Sequence, residues 1–442
     1  MLNLFGNRSY RDCEGTSRRE FLKVGSLGMT SLGLSGLLRG RAQGGQAGRE
    51  VKDTSVIWIW LGGGATHIET FDPKMEAPVE FRSCVGATTT SIPGVEFGGL
   101  FPKMAQMADR MAILRSFAHG NSGHSGGTHY VMTGVDHPPA DAGVPPIKPS
   151  FGSIAARVRG TNNVASGVPT YVRLDGLFAD GPNWLGSAYS PFDVGGEARN
   201  NMNVNIDLNR LGDRRLLLGQ VDRINRQIDR TGQLAGLDQF ETQAFDLILS
   251  RAKEAFDLTR EDPRLRDKYN AMGTALGDRL LLARRLCEAG AGFVTLHYAN
   301  SYQSWDMHEK IEPQLKQACP PLDHVIATFL EDVAQRGLSE KILLVITGEF
   351  GRTPRINGVA GRDHWGPLCT LALAGGGLKM GQVVGESSAK AEVPKSSPIQ
   401  PKDLMATIFH VLGIDGQSQF TDHSGRPQYL LPDGARPIRE LV

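Results

Sequence analysis

The sequence predicts an α/β protein with a mostly parallel central sheet sandwiched by helices. Four short runs carry that prediction: residues 56–61 (VIWIWL), 292–297 (GFVTLH), 342–347 (ILLVIT) and 370–374 (TLALA). Each is rich in β-branched or large apolar residues and has the character of a parallel-type strand buried on both faces. Segments of helical periodicity lie between them, and alternating strands and helices imply layers around one sheet. The chain has 442 residues, 40% of them hydrophobic and 21% charged, which suits a globular protein with a sizeable core.

The first element is a leader. Ser17-Arg18-Arg19-Glu20-Phe21-Leu22-Lys23 precedes an uncharged, glycine-interrupted apolar run and then a Gly/Ala/Gln-rich stretch. A twin arginine in this setting predicts Tat export, with residues 1–43 as the leader, the Tat machinery as a partner and the periplasm or cell surface as destination. The run is too short and too rich in glycine for a stable membrane span, so no transmembrane anchor is expected. Removing residues 1–43 leaves a net charge of −3, which gives no reason to expect nucleic acid as a partner. Cys84, Cys287, Cys319 and Cys369 have no C-x-x-C spacing, and spacing does not choose a disulfide, although Cys84 with Cys319 is one candidate.

Residues 50–442 read as one α/β domain. After the strand at 56–61 come a helix over 100–109, a weaker strand over 111–115 and a glycine-rich stretch, HGNSGHSGGTHYVMTG. Five prolines mark residues 136–149 as an exposed loop. A helix over 150–159 and a weak strand over 170–174 follow. Residues 200–291 read as a helical insertion, with Pro263 and Gly273 as breaks. Leu322, Val325, Ile326, Phe329, Leu330 and Val333 fall on one face of a helix over 321–336.

Parallel sheets bind ligands beyond the carboxyl ends of their strands. That rule draws together Gly62, Gly63, Gly64 and His67 after the first strand, Asp306 and His308 after the second, and Glu349, Arg352, Arg362, Asp363 and His364 after the third. The glycines also suit a plain tight turn, His67 alone suits a structural histidine, and Arg352 suits a loop-pinning ion pair. Asp306-x-His308 is a stronger signal, because alternate residues of an extended chain face one side and can converge on an ion. In the glycine-rich stretch, a helix beginning near Thr128 would offer free N–H groups to an anion, with Ser125 at its mouth as nucleophile or anion contact.

The segments WLGGGATHIETFDPK, HSGGTHYVMTG, PSFGSIAARV and GEFGRTPRINGVAGRDHWG, in this order, resemble the exported proteins gathered as domain of unknown function 1501. That family is similar to the alkaline phosphatase and sulfatase superfamily, which implies an alkaline phosphatase-like fold and metal-assisted hydrolysis of phosphate or sulfate esters. The resemblance implies Asp306, His308 and His364 as ligands of one divalent ion, zinc or similar. It places a nucleophile at His124 or Ser125. Glu349 would act as base or extra ligand, Arg352 or Arg362 as anion clamp, and His67, His124 and Thr128 would contact substrate. Gly62 to Gly64 stand where relatives carry a metal-binding Asp, and Glu349-Phe350 where they carry Asp-His, so a second metal site looks dismantled. No Cys-x-Pro-x-Arg is present, which argues against a formylglycine mechanism. The alternative is a non-catalytic protein on the same fold that binds sulfated or phosphorylated glycans.

Overall fold

The computed structural model describes residues 52–195, 252–298, 305–422 and 424–442. The expected leader and the front of the expected helical insertion lie outside these residues. The main sheet has eight strands, here numbered in chain order: β1 (Ser55–Trp60), β2 (Ala112–Leu114), β3 (Tyr171–Arg173), β4 (Phe192–Asp193), β5 (Phe293–His297), β6 (Ile342–Thr347), β7 (Leu371–Gly375) and β8 (Gln382–Val384). Across the sheet they run β8-β2-β7-β6-β1-β5-β3-β4.

β1 is central because all six of its residues are buried. Ile57 and Ile59 point into one core, whereas Val56, Trp58 and Trp60 point into the other, as a two-residue period requires. One face is covered by Ala275–Glu288 and Ile311–Gln335, the other by His124–Thr133, Phe151–Arg159 and Pro401–Leu412. Among the described residues, no helix is long and apolar enough to cross a membrane.

Three expectations need correction. The run at 370–374 is not parallel: β7 pairs antiparallel with both β6 and β2. No crossover helix separates it from β6, only a loop with the small ribbon Gly351–Arg352 and His364–Trp365, and such a return reverses direction. The helix expected over 321–336 begins at Ile311, with Pro320 and Pro321 inside it. The proline pair removes two backbone donors but does not end the helix, whose apolar face continues N-terminally through Ile311, Leu315 and Ala318. The loop at 136–149 holds a short 3-10 turn, Pro138–Ala142, and Asp141 Oδ1 accepts the backbone N–H groups of Ser125 at 2.9 Å and Gly126 at 3.0 Å.

Behind the sheet, Arg284 is fully buried and meets Glu261 at 2.5 Å and Asp332 at 3.0 Å. Arg285 and Arg336 also reach Glu261, at 3.0 and 2.8 Å. Burial opposes ionisation of Glu261, but hydrogen bonds from Arg284 and Arg285 outweigh it and hold the carboxyl down at about 2. Its folded-state value is therefore depressed, so its contribution is complete above about 4.3, the unfolded-chain value, and is lost as the pH falls through about 2. Glu261→Gln is expected to lower stability at neutral pH by about 3 kcal/mol and to remove this acid-side dependence. Denaturant unfolding at neutral and acid pH checks both.

Candidate metal centre

Three connections at the carboxyl edge of the sheet converge. The segment after β2 starts a helix at His124, the chain beyond β5 returns through Asp306 and His308, β6 runs into Glu349, and the ribbon after it places His364 opposite Arg352. Met307 is buried while Asp306 and His308 are more exposed, so the alternation inferred from Asp306-x-His308 turns both side chains to the same site.

The hydrogen bonds assign the three imidazoles. His364 donates from Nδ1 to the carbonyl of Ser122 at 2.9 Å. His308 donates from Nδ1 to Asp363 Oδ1 at 2.8 Å, and His124 from Nδ1 to Glu349 Oε1 at 2.8 Å. Each acceptor fixes a proton on Nδ1, so each neutral ring turns an unprotonated Nε2 inward. All three Nε2 atoms face one carboxylate. His308 and His364 lie 2.9 and 3.0 Å from Asp306 Oδ1, and His124 lies 3.4 Å from Oδ2. The Nε2 atoms of His308 and His364 are 3.0 Å apart.

Lone pairs so arranged repel unless a cation lies among them. In the absence of an ion, protons take that part. Burial opposes the charge on Asp306, but hydrogen bonds from His124, His364 and Arg352 hold its carboxyl well below the usual range. Hydrogen bonds to Asp306 and Glu349 push His124 up to about 9. A divalent ion fits the same donors: ligand atoms about 2.0–2.1 Å from a tetrahedral zinc stand roughly 3.3 Å apart. Asp306, His308 and His364 have that spacing, and His124 also offers an atom within 4.8 Å of those of Asp306 and His364.

Other expected site residues are placed differently. His67 lies outside the cluster, its Nε2 bonded to the carbonyl of Ala391 at 3.0 Å, because the short helix His67–Thr70 turns it into a buried layer. Ser125 does not share the face of His124 and Thr128, since neighbours on a helix diverge by about 100°. The helix starts at His124, not near Thr128, and Asp141 already takes the N–H groups that an anion would have used. Arg362 is wholly buried, paired with Glu69 at 2.7 Å and donating to the carbonyls of Thr353, Pro354 and Arg82. Arg352 is equally buried and donates to Gly64, Gly63, Arg362 and Asp306. Both arginines hold loops together, and neither presents a free fork to an anion.

Beside the cluster lies a cavity of about 400 Å³, lined by His124, Thr128, Asp306 and Glu349 and by a residue the sequence reading passed over, His297. Its signal was its place as the last residue of a strand at the ligand-binding edge. The glycines after β1 answer to this cavity. A Cβ on Gly62 would stand 2.0 Å from His297 Nε2, and one on Gly64, at φ +81°, would stand 2.3 Å from the Phe350 ring. Phe350 in turn packs on His364, with ring centroids 4.4 Å apart.

The role given to Arg362 is testable. Arg362→Gln leaves the buried Glu69 without its cationic partner, so a loss of about 3–5 kcal/mol is expected in denaturant unfolding. Phosphate or sulfate affinity of the folded variant is expected to match wild type.

Comparison with known proteins gives distant structural similarities. The phosphonate monoester hydrolase SpPMH from Silicibacter pomeroyi is 13% identical with a TM-score of 0.41, the alignment covering 87% of this chain and 76% of that one. The PsFucS1 sulfatase from Pseudoalteromonas sp. is 13% identical with a TM-score of 0.38, covering 90% and 72%. The lipoteichoic acid synthase LtaP from Listeria monocytogenes is 10% identical with a TM-score of 0.35, covering 83% and 76%. No curated protein sequence matches. Residues 53–442 match the family described as protein of unknown function (DUF1501), and the chain belongs to that family.

Proposed function

We propose that the protein is an exported, divalent-metal-dependent hydrolase of phosphate or sulfate esters. One observation carries the reading: three imidazoles, each anchored through Nδ1, turn Nε2 onto the single carboxylate of Asp306. Acceptors behind the rings fix the tautomer and aim of histidines that hold a metal. Asp306, His308 and His364 would hold the ion and leave a position open, as catalytic sites do. Such an ion supplies Lewis-acid polarisation of an ester oxygen and a lowered pKa for water.

The chain's own groups supply the rest. His124 lines the cavity and is pinned through Nδ1 by Glu349 Oε1, which would place its Nε2 to protonate a leaving oxygen. Gly63 N–H donates to the same Oε1 at 2.7 Å, and His119 Nε2 donates to the Glu349 carbonyl at 2.8 Å, so this dyad is held from both ends. Thr128 is the one hydroxyl residue among the described residues lining the cavity, and its proton goes to the carbonyl of His124 at 2.6 Å. Attack therefore falls to water rather than to a side-chain hydroxyl.

The commitment of Arg352 and Arg362 to internal contacts favours a second reading, an anionic-glycan-binding protein that does not turn its ligand over. Elemental analysis and turnover separate the two. One ion per chain is expected, lost in Asp306→Ala and His364→Ala and retained in His129→Ala. His124→Gln is expected to slow hydrolysis of phenyl esters about 100-fold and that of nitrophenyl esters far less, because a good leaving group needs no acid. A metal-loaded protein inert toward aryl phosphates and aryl sulfates would assign the binding reading.

Export is tested separately. Replacing Arg18 and Arg19 together by lysine is expected to retain the protein inside the cell, and mature protein in the periplasm would overturn the Tat assignment.

A further inference from the structure

A separate pocket of about 300 Å³ lies away from the metal cluster. Thr133 lines it, whereas His124 lines the cavity beside the cluster, and these are the last and first residues of one helix, so the two places are about 14 Å apart along its axis. The floor of the pocket is apolar, with the buried side chains of Ile154, Met405 and Leu430. Around it stand Lys148, Trp184 and Gln428, each half-buried, and Tyr429, which is 58% exposed.

Local hydrogen bonds hold these groups in place. Asn183, at φ +46°, donates from its side chain to the carbonyl of Pro146 at 2.6 Å and accepts the backbone N–H of Trp184 at 2.9 Å, which ties the indole to the segment carrying Lys148. Gln428 Nε2 donates to Asp422 Oδ2 at 3.1 Å, so its Oε1 is left for Lys148 and accepts from Nζ at 2.8 Å. The ammonium also lies over the Trp184 ring, 5.9 Å from its centroid. Gln428 and Trp184 both line the pocket, so Nζ stands at its wall between them. Among the described residues Gln428 takes one of its three N–H groups, and the other two are left for a ligand.

The charge of Lys148 is poorly compensated. Burial lowers its pKa, and the acidic group that opposes this, Asp422, is already committed to the Arg426 guanidinium at 3.0 Å and to the backbone N–H groups of Ser424 and Arg426. Asp433 also lines the pocket but is exposed, with Lys402 Nζ 3.3 Å from its carbonyl, so solvent and that ammonium screen it. A half-buried cation with donors to spare calls for an anion, and a lone cation is balanced by a single negative charge. The apolar floor and the flanking aromatic rings call for an apolar ring, and a pocket of this size and composition suits a small molecule. We infer that this pocket binds a small apolar ring bearing one negative charge, a carboxylate or a sulfonate-type group, with the charge on Lys148 and the ring against Trp184 and the floor. The site shares no residue with the metal centre, and its occupancy depends neither on an ion nor on ester hydrolysis.

Chelator-treated full chain is titrated with benzoate and benzenesulfonate, with binding read by saturation-transfer NMR. Benzamide, which has the ring without the charge, and acetate, which has the charge without the ring, are the controls. At least one of the two ring anions is expected to bind, about tenfold or more tightly than either control. A preference for benzoate assigns a carboxylate ligand, and a preference for benzenesulfonate assigns a sulfonate or sulfate. Affinity is expected to fall about tenfold or more in Lys148→Met, which loses a charge-assisted contact while keeping the length of the side chain. Trp184→Ala, which removes the ring's platform, is expected to weaken binding by a similar factor. No binding of either ring anion to wild type, equal affinity for benzamide, or unchanged affinity in either variant overturns the inference. Binding that appears only after zinc is added would also overturn it, by placing the anion at the metal centre.

Discussion

The carboxylate of Asp306 is the constraint on which the site's geometry depends. It follows β5 in the chain yet is held by Arg352 from the loop after β6, by His364 from the ribbon beyond it and by His124 from the loop after β2. Arg352 donates to it directly, whereas the Nε2 atoms of His124, His308 and His364 share it only through a proton or a cation between them. Three separate loops thus share one anchor. The coupling also runs inward, because Arg352 binds the carbonyls of Gly63 and Gly64 and ties the turn after β1 to the same point. Stability of the loop array and geometry of the candidate metal centre are one property here.

The turn after β1 shows how space is allotted around that anchor. Gly63 and Gly64 adopt φ of +104° and +81°, which favours glycine, and the missing side chains make room for His297 and Phe350. Phe350 has no ligand atom, but its ring lies against both His124 and His364 and limits their rotation. Positions that look like lost ligands in the sequence are therefore filled by a packing residue and by a histidine from the neighbouring strand.

Much of the fold was legible because its central strands are buried on both faces and read as continuous apolar runs. Even the short strands Ala112–Leu114 and Tyr171–Arg173 fall inside the weaker runs at 111–115 and 170–174. The direction of β7 was not legible, since TLALA has the same composition in either orientation and only the returning ribbon decides it. Asp306, His308 and His364 could be singled out from their place after strands. The tasks of Arg352 and Arg362 could not, because a guanidinium that clamps an anion and one that gathers carbonyls have the same sequence signature. Asp141 as helix cap escaped for a similar reason: its partners, Ser125 and Gly126, lie across a turn no local pattern marks.

The same commitments limit where positive charge can come from. With Arg352, Arg362 and the helix N-terminus all satisfied internally, the described residues lining the cavity offer one cation, the His124 imidazolium. It sits between Asp306 and Glu349, so the local balance without an ion is negative. A divalent ion beside Asp306 inverts that balance, and an anionic group would then be drawn to the ion rather than to a preformed arginine fork. In the proposed reading discrimination among anions would be correspondingly loose, since an ion reads charge and radius where a fork reads planar geometry. In the proposed reading selectivity would then come from the neutral part of the ligand, met by the cavity wall of Trp60, Leu177 and Phe178.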